Sequence, residues 1–535
     1  MVGIRYTRNS FSQKTPPYLV YLQNILHKYP DGGQILKELL QNADDAGGSK
    51  VIFFLDERDY GTETLYSNEL ADFQGPALFA YNNATFSDSD WEGIQNTGKS
   101  IKLKDPNTVG RFGLGFSSVY HITDIPAVLS GKYIGMLDPQ WTAFDDGGFK
   151  WNLEDNEDQN DIKALTDQFL SFSKAVSAIS GGKWDTIIES GFFNGTLFRF
   201  PLRLSFSKIS DNLYSSEKVQ ELFRCFRKDA TINLLFLRNI TQVALKIIGR
   251  DGTVKDLMTA SVNSEDNKTF QNIDVSSSKL LSSLKVKATS LKSQGRMDEE
   301  CRWLVVGSTI KKGSFQDLED LANRLNNFPT ISVAYSLEHA DNTFCEGRLC
   351  CFLPLPDREE NKTQLPVHIN ASFDLTDDRR SIKWVEADQQ DDSAQWNHLL
   401  VEKVLPLVYC QAVQAVVSFV RSSGGPATLA YGIWPDPSQT QHKQRWHRLT
   451  KRIAIELLNM DVLCPIANNI QWLKPSHAIF LPIIEDCNII HALEELLVCV
   501  GEPLVKVPPH VIGVINLAAE CVKTATPSFI RKILK

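Results

Sequence analysis

The segment that most constrains this chain is Gln34–Ala46, QILKELLQNADDA. Ile35, Leu36, Leu39, Leu40 and Ala43 recur at three- and four-residue intervals, which is helical spacing. Gly47-Gly48 follows and predicts a stop, because glycine takes the left-handed C-cap conformation without a Cβ penalty. Glu38, Asn42 and Asp45 stand at i, i+4 and i+7, so they share another face of that helix. A carboxylate, an amide and a second carboxylate there can activate a water, hold a cation and flank a ligand. The alternative reading is a solvated face of ordinary helix formers.

A second feature raises the value of the first. Gly110-Arg111-Phe112-Gly113-Leu114-Gly115-Phe116-Ser-Ser118 begins about 65–70 residues downstream and runs into a helix predicted over Phe116–Ile122. Its glycines let backbone N–H groups approach phosphate oxygens, and a helix N-terminus favours anions. A glycine loop alone is weak evidence, whereas its pairing with the ELLQNADDA helix is specific. Gly195-Thr196 stands just before a predicted strand, Leu197–Phe200.

Together these residues resemble the Bergerat, or GHKL, nucleotide-binding family, which includes the ninety-kilodalton heat-shock chaperone, DNA gyrase, MutL and histidine kinases. The phrasing GGQILKELLQNADDAG, GPALFAYNNATF, VGRFGLGFSSVYHITDIP, GMLDP and LTDDRRSIKW is similar to the sacsin-repeat family. The resemblance implies ATP and Mg²⁺ as cofactors and a slow ATP hydrolase. It makes Glu38 the base that activates water, Asn42 the Mg²⁺ ligand and Asp45 a neighbour of the nucleotide. Lys99 would face the phosphates or the lid, and Gly110, Arg111, Phe112, Gly113, Leu114, Gly115 and Phe116 would wrap the phosphates. Thr196 would support the adenine. Arg380, or equally Arg379, would supply a charge-stabilising arginine, the alternative being an ion pair with Asp377 or Asp378. The implied role is a chaperone or co-chaperone module in protein quality control. Its implied partners are client proteins, Hsp70-type chaperones and cytoskeletal filaments, at a cytoplasmic location.

One departure matters. The family reads adenine with an aspartate in a DxGxG turn, and here the strand Ala77–Tyr81 leads into Asn82-Asn83-Ala84-Thr85. An amide cannot make the same charge-assisted bond to an adenine amino group. Asn82 and Asn83 therefore stand in the base-reading position and point to weak nucleotide affinity or to a base read differently, and they favour a scaffold without catalysis as the alternative. Gly93–Ser100 matches the literal P-loop pattern, but a helix is predicted to run into Gly93, where a true P-loop follows a strand.

Composition excludes several other classes. The charge of −8 argues against a nucleic-acid partner and against the DNA-acting relatives of the fold. Ten scattered cysteines include no CxxC pair, which argues against a zinc site and fits a reducing compartment. The N-terminus has no apolar signal core. The longest uncharged stretch, Val404–Val420, contains Pro406 and two glutamines, and reads as a buried helix rather than a membrane span.

The expected fold is α/β. An N-terminal Bergerat-type sandwich over 1–205 pairs a mixed sheet with helices on one face. A second α/β region follows over 206–385, then a mainly helical region over 386–535. The middle region is expected to open with a helix at Ser216–Phe226, then strands at Leu234–Leu237 and Val243–Ile248. Ser261–Glu300, rich in Ser, Lys and Asn, reads as an exposed excursion. No short repeat is visible. The tail at Phe529–Lys535 reads as a helix cut short, so the chain is expected to be one repeat unit, either a short paralogue or a fragment of a larger repeat protein.

Overall fold

The computed structural model describes residues 18–29, 31–95, 115–263, 281–294, 299–338, 346–385, 391–467, 471–482, 487–518 and 523–534. Fourteen strands form one continuous mixed sheet. They are β1 (Lys50–Asp56), β2 (Ala77–Asn82), β3 (Ala127–Gly131), β4 (Tyr133–Leu137), β5 (Gly148–Asn152), β6 (Phe193–Pro201), β7 (Gln242–Ile248), β8 (Val254–Asn263), β9 (Leu281–Gln294), β10 (Glu299–Ile310), β11 (Thr330–Ser336), β12 (Leu349–Cys351), β13 (Leu353–Pro354) and β14 (His368–Ala371). Their order is β13-β12-β14-β11-β10-β9-β8-β7-β1-β2-β6-β3-β4-β5. The join between the N-terminal and middle regions is the parallel pair β1–β7, from Lys50 opposite Gln242 to Asp56 opposite Ile248.

β1 is buried on both faces, so both must be covered. Val51, Phe53 and Leu55 pack with the Gln34–Asp45 and Ser216–Lys228 helices. Ile52 and Phe54 pack with Phe169, Phe172 and Val176 of the Thr166–Ser180 helix. Phe54 stacks on Phe79 at 4.7 Å, and Phe79 meets the edge of Phe172 at 6.3 Å. The N-terminal sheet thus carries helices on its second face as well as its first.

Two expectations in the middle region give way. Leu234–Leu237 is not a strand: Ala230–Leu235 is a short helix under the sheet. A four-residue apolar run has no period of its own, so burial decides its form. The polar excursion contains a 14-residue strand, β9, paired to β8 and β10. Its alternation Leu284-Lys-Val286-Lys-Ala288 has a period of two, a signal that composition hides.

Most of the C-terminal helices share a core with the middle of the sheet, while Ile479, Leu497, Leu504 and Ala525 form a smaller cluster of their own with Phe529 and Ile530 against it. One cluster runs from Leu304 of β10 through Val408, Val413 and Val416 to Ile515. Its spine is Asp392–Ser423, 32 residues long and apolar enough to cross a bilayer, with 72 % of its apolar window buried in the fold. It is therefore a core helix of this structure, as Val404–Val420 suggests. Leu400–Val404 forms a π turn just before Pro406, whose missing N–H and ring cannot fit a regular α-helical ladder.

Candidate active site

The Gln34–Asp45 helix ends as its sequence predicts. Gly47 adopts φ +79° and Gly48 N–H bonds the Ala43 carbonyl at 2.9 Å. Four of its polar residues are not solvated, however. Lys37, Glu38, Gln41 and Asp44 are all buried, which rules out the solvated-face alternative for Glu38, only 4 % exposed. A buried charge must be paired, and each of these three charged side chains has found its own partner.

Glu38 lies against the end of the glycine-rich loop. A Cβ on Gly115 would stand 2.2 Å from Glu38 Oε2, so a larger residue there would displace the carboxylate from this position. Arg379 Nη1 donates to Oε1 at 3.1 Å and to Oε2 at 3.4 Å, and Gln34 Nε2 donates to Oε1 at 3.3 Å. The Arg379 guanidinium also lies 5.1 Å from the centre of the Tyr29 ring, a cation–π contact. The arginine at Glu38 is thus Arg379, not Arg380. The turn chooses between them. Arg379 N–H bonds the Thr376 carbonyl at 2.8 Å, while Asp378 Oδ1 accepts from Thr376 Oγ1 at 2.6 Å and Arg380 N–H at 3.1 Å. Arg379 takes the left-handed position of this turn, φ +54°, which turns its side chain toward Glu38. That conformation costs a non-glycine residue about 1 kcal/mol or more.

Asn42, one turn on from Glu38, is half-buried, and its side-chain amide makes no hydrogen bond among the described residues. Asp45 is also half-buried. Its neighbour Asp44 is structural: its carboxylate accepts from the backbone N–H groups of Arg238, Asn239 and Ile240 at 2.7–3.1 Å. Phe116 opens a short 3₁₀ helix, Phe116–His121, and packs 5.6 Å from Phe198. Lys99, Gly110, Arg111, Phe112, Gly113 and Leu114 lie outside the described residues. Gly93 sits inside the Asp88–Gln95 helix, so the literal P-loop pattern lacks its strand.

At the other end of the site, Asn82 of β2 is opposite Thr196 of β6. Gly195 is required here, because a Cβ would meet Asn82 O and the Tyr81 ring, each at 2.9 Å. Both asparagines are turned to internal duty. Asn82 Oδ1 accepts from Ala84 N–H at 3.0 Å. Asn83 Oδ1 accepts from Ser49 and Lys50 N–H at 2.8 and 3.0 Å, and its amide donates to Ser49 Oγ. Thr196 Oγ1, fully buried, donates to the Ala84 carbonyl at 2.8 Å and lies 2.8 Å from Ser130 Oγ.

A second buried cluster adjoins the first, and sequence reasoning missed it. Lys37 Nζ reaches Asp229 Oδ2 at 2.9 Å and the Pro354 carbonyl at 2.8 Å. Arg348 pairs with the same carboxylate through Nη1 and Nη2 and also donates to the Leu355 carbonyl. Burial pushes the Asp229 carboxyl up, but Lys37 and Arg348 more than offset this and hold it below the usual range. Burial pushes the Lys37 ammonium down and the nearby Cys350 thiol up to about 12. No local sequence signal connects residues separated by more than a hundred positions.

The donor set can be tested against Mg²⁺. Among the described residues no three His, Cys, Asp or Glu side chains converge on one point. Mg²⁺ keeps several waters and is held by one or two protein oxygens plus substrate phosphates rather than by an all-protein cage, so a cluster of three is not what that cation requires.

A family profile described as the sacsin domain matches residues 15–259. Sacsin of Homo sapiens is 40 % identical over 561 aligned residues, which take in 98 % of this chain. The chain spans 12 % of that relative's length. A solved structure titled as the N-terminal domain of a DNA repair protein is 12 % identical, with a TM-score of 0.31, covering 68 % of this chain and 91 % of its own; so low a score carries no argument. The chain is therefore a sacsin relative, with a sacsin domain in its first half.

Proposed function

We propose that this sacsin-like chain is a chaperone or co-chaperone module that binds Mg·ATP over residues 1–205 and hydrolyses it slowly. The observation that carries the reading is the buried Glu38 carboxylate, seated on Gly115 and held by Arg379. Glu38 would orient the attacking water and accept its proton. Mg²⁺, held by Asn42 and phosphate oxygens, would supply charge neutralisation. The backbone of Gly110, Gly113 and Gly115 would bind phosphate, and Arg379 would move from Glu38 to the developing negative charge. Because Arg379 belongs to the 206–385 region, nucleotide state would be passed there and on to the helical region 386–535. Client proteins, Hsp70-type chaperones and cytoskeletal filaments in the cytoplasm are the partners this reading carries.

A second reading is a non-catalytic scaffold. Asn82 and Asn83 favour it, because both side chains are spent on backbone N–H groups at the place where the adenine would be read. ATP binding and turnover by the purified chain separate the two. The enzyme reading expects Glu38→Ala to lower turnover by about 100-fold or more with binding nearly intact, in line with the usual worth of a general base. It expects Asn42→Ala to lose Mg-dependent binding. No binding at millimolar Mg·ATP decides for the scaffold.

A further inference from the structure

The two ends of the sheet are finished differently. At one end, β13 contains Pro354, whose carbonyl is taken by Lys37 Nζ at 2.8 Å. Proline and a covering side chain are usual ways of closing a sheet edge against pairing. The other end is β5, and among the described residues no strand lies beyond it. Leu153 N–H donates to the Lys132 carbonyl and Asp138 N–H to the Gly147 carbonyl, so backbone groups of the odd-numbered residues face β4. By alternation, those of Gly148, Lys150 and Asn152 face outward. Asn152 is occupied: its N–H bonds Asp158 at 2.6 Å, and its carbonyl accepts from Asp155 N–H at 3.0 Å. Gly148 and Lys150 offer the open stretch.

Beside that stretch lies a shelf of exposed aromatic rings. Tyr66 is 47 % exposed and its ring lies 5.3 Å from that of Phe149. Trp141 is 65 % exposed and rests on Gly147, where a Cβ would come within 2.8 Å of its Nε1. Trp141 also has φ +57°, an unfavourable conformation for so bulky a residue. Asp138 maintains it by accepting from Thr142 and Ala143 N–H, each at 2.6 Å. The fold therefore keeps a tryptophan strained and in solvent next to an open edge.

The charge around the edge selects a partner. Residues 145–161 hold seven carboxylates and one basic side chain, Lys150. That lysine is turned onto the Tyr133 ring, 4.2 Å from its centre. We propose that the outer edge of β5 docks a basic, extended peptide segment of a partner protein, which adds to the sheet as a further strand. Gly148 and Lys150 supply the main-chain bonds, Trp141, Phe149 and Tyr66 hold its apolar side chains, and the carboxylates attract its Lys or Arg.

The test uses the full chain and a nine-residue peptide alternating Lys and Val, with a Glu/Val peptide as control. The proposal expects saturable binding of the basic peptide, slower hydrogen exchange over 145–153 on binding, and weakening as salt is raised. Lys150→Pro removes an outward N–H without breaking the β4 ladder and should weaken binding at least tenfold. Should that variant fail to fold, the exposed substitutions Asp145→Asn, Asp146→Asn and Glu154→Gln together should weaken it several-fold, as should Trp141→Ala alone. Equal binding of both peptides, unchanged exchange over 145–153, or full binding by these variants would overturn it. So would self-association of the chain that protects 145–153 without peptide, which would assign the edge to a second copy.

Discussion

Lys37 and Glu38 are adjacent on one buried helix, yet they serve two clusters of opposite design. Lys37 shares Asp229 with Arg348, so two cations stand over one carboxylate, and carbonyls of Pro354 and Leu355 take further N–H groups. This cluster fastens the N-terminal helix to the middle region. Glu38 meets one arginine, presented from a strained turn, and keeps the other side of its carboxylate against a glycine. The clamp spreads two cations over one carboxylate and two carbonyls, whereas the Glu38 carboxylate rests on one cation. The comparison teaches that a buried ion pair by itself does not mark a functional site; under the proposed ATPase reading, the strained arginine and the glycine contact set the Glu38 cluster apart.

The largest expected effect breaks the clamp. Asp229→Ala leaves two buried cations unpaired and should cost about 3–5 kcal/mol, the usual range for removing one partner of a buried pair. Denaturant unfolding measures it, and a loss below about 1 kcal/mol would mean that the clamp is not structural. Next comes the glycine contact. Gly115→Ala places a methyl on Glu38 and should cost about 1–3 kcal/mol through overpacking. If Glu38 is the base, ATP turnover per folded molecule should fall as well; turnover equal to wild type would separate Gly115 from the chemistry.

A smaller effect lies in pH dependence. Asp229 and Asp31 both hold a depressed pKa despite burial, Asp31 through Tyr214, Asn212 and Lys218. A carboxyl depressed in the fold contributes stability that is present above its unfolded value, about 3.9, and is lost as pH falls through the folded value. Stability should therefore drop as pH falls below about 4. Asp229→Asn should lack part of that dependence when unfolding midpoints are compared between pH 5 and 3. An unchanged acid slope would mean that Asp229 is not held ionised by its cations.

Much of the N-terminal half was legible because its signals are local. The helical period of Gln34–Asp45, the Gly47-Gly48 stop and the β-strand runs at Ala77 and Leu197 each depend on residues close in sequence. The polar face of the helix was legible as a set but not in its burial, since no local pattern says what will cover it. Arg379 could not be told from Arg380, because the choice rests on a left-handed turn fixed by Thr376 and Asp378. The polar composition of Ser261–Glu300 hid β9, which pairs with strands on both sides.

The sequence by itself determined the ingredients: a helix carrying Glu38 and Asn42, a glycine loop ending at Gly115, an Asn82-Asn83 turn and a threonine after Gly195. These follow from side-chain chemistry and backbone freedom within a few residues. Only the tertiary structure decided what they face. The β1–β7 pairing continues the sheet into the middle region, and the turn at 376–381 brings Arg379 onto Glu38, 341 positions away. Such contacts arise from burial shared across the whole chain, and local periodicity carries no record of them.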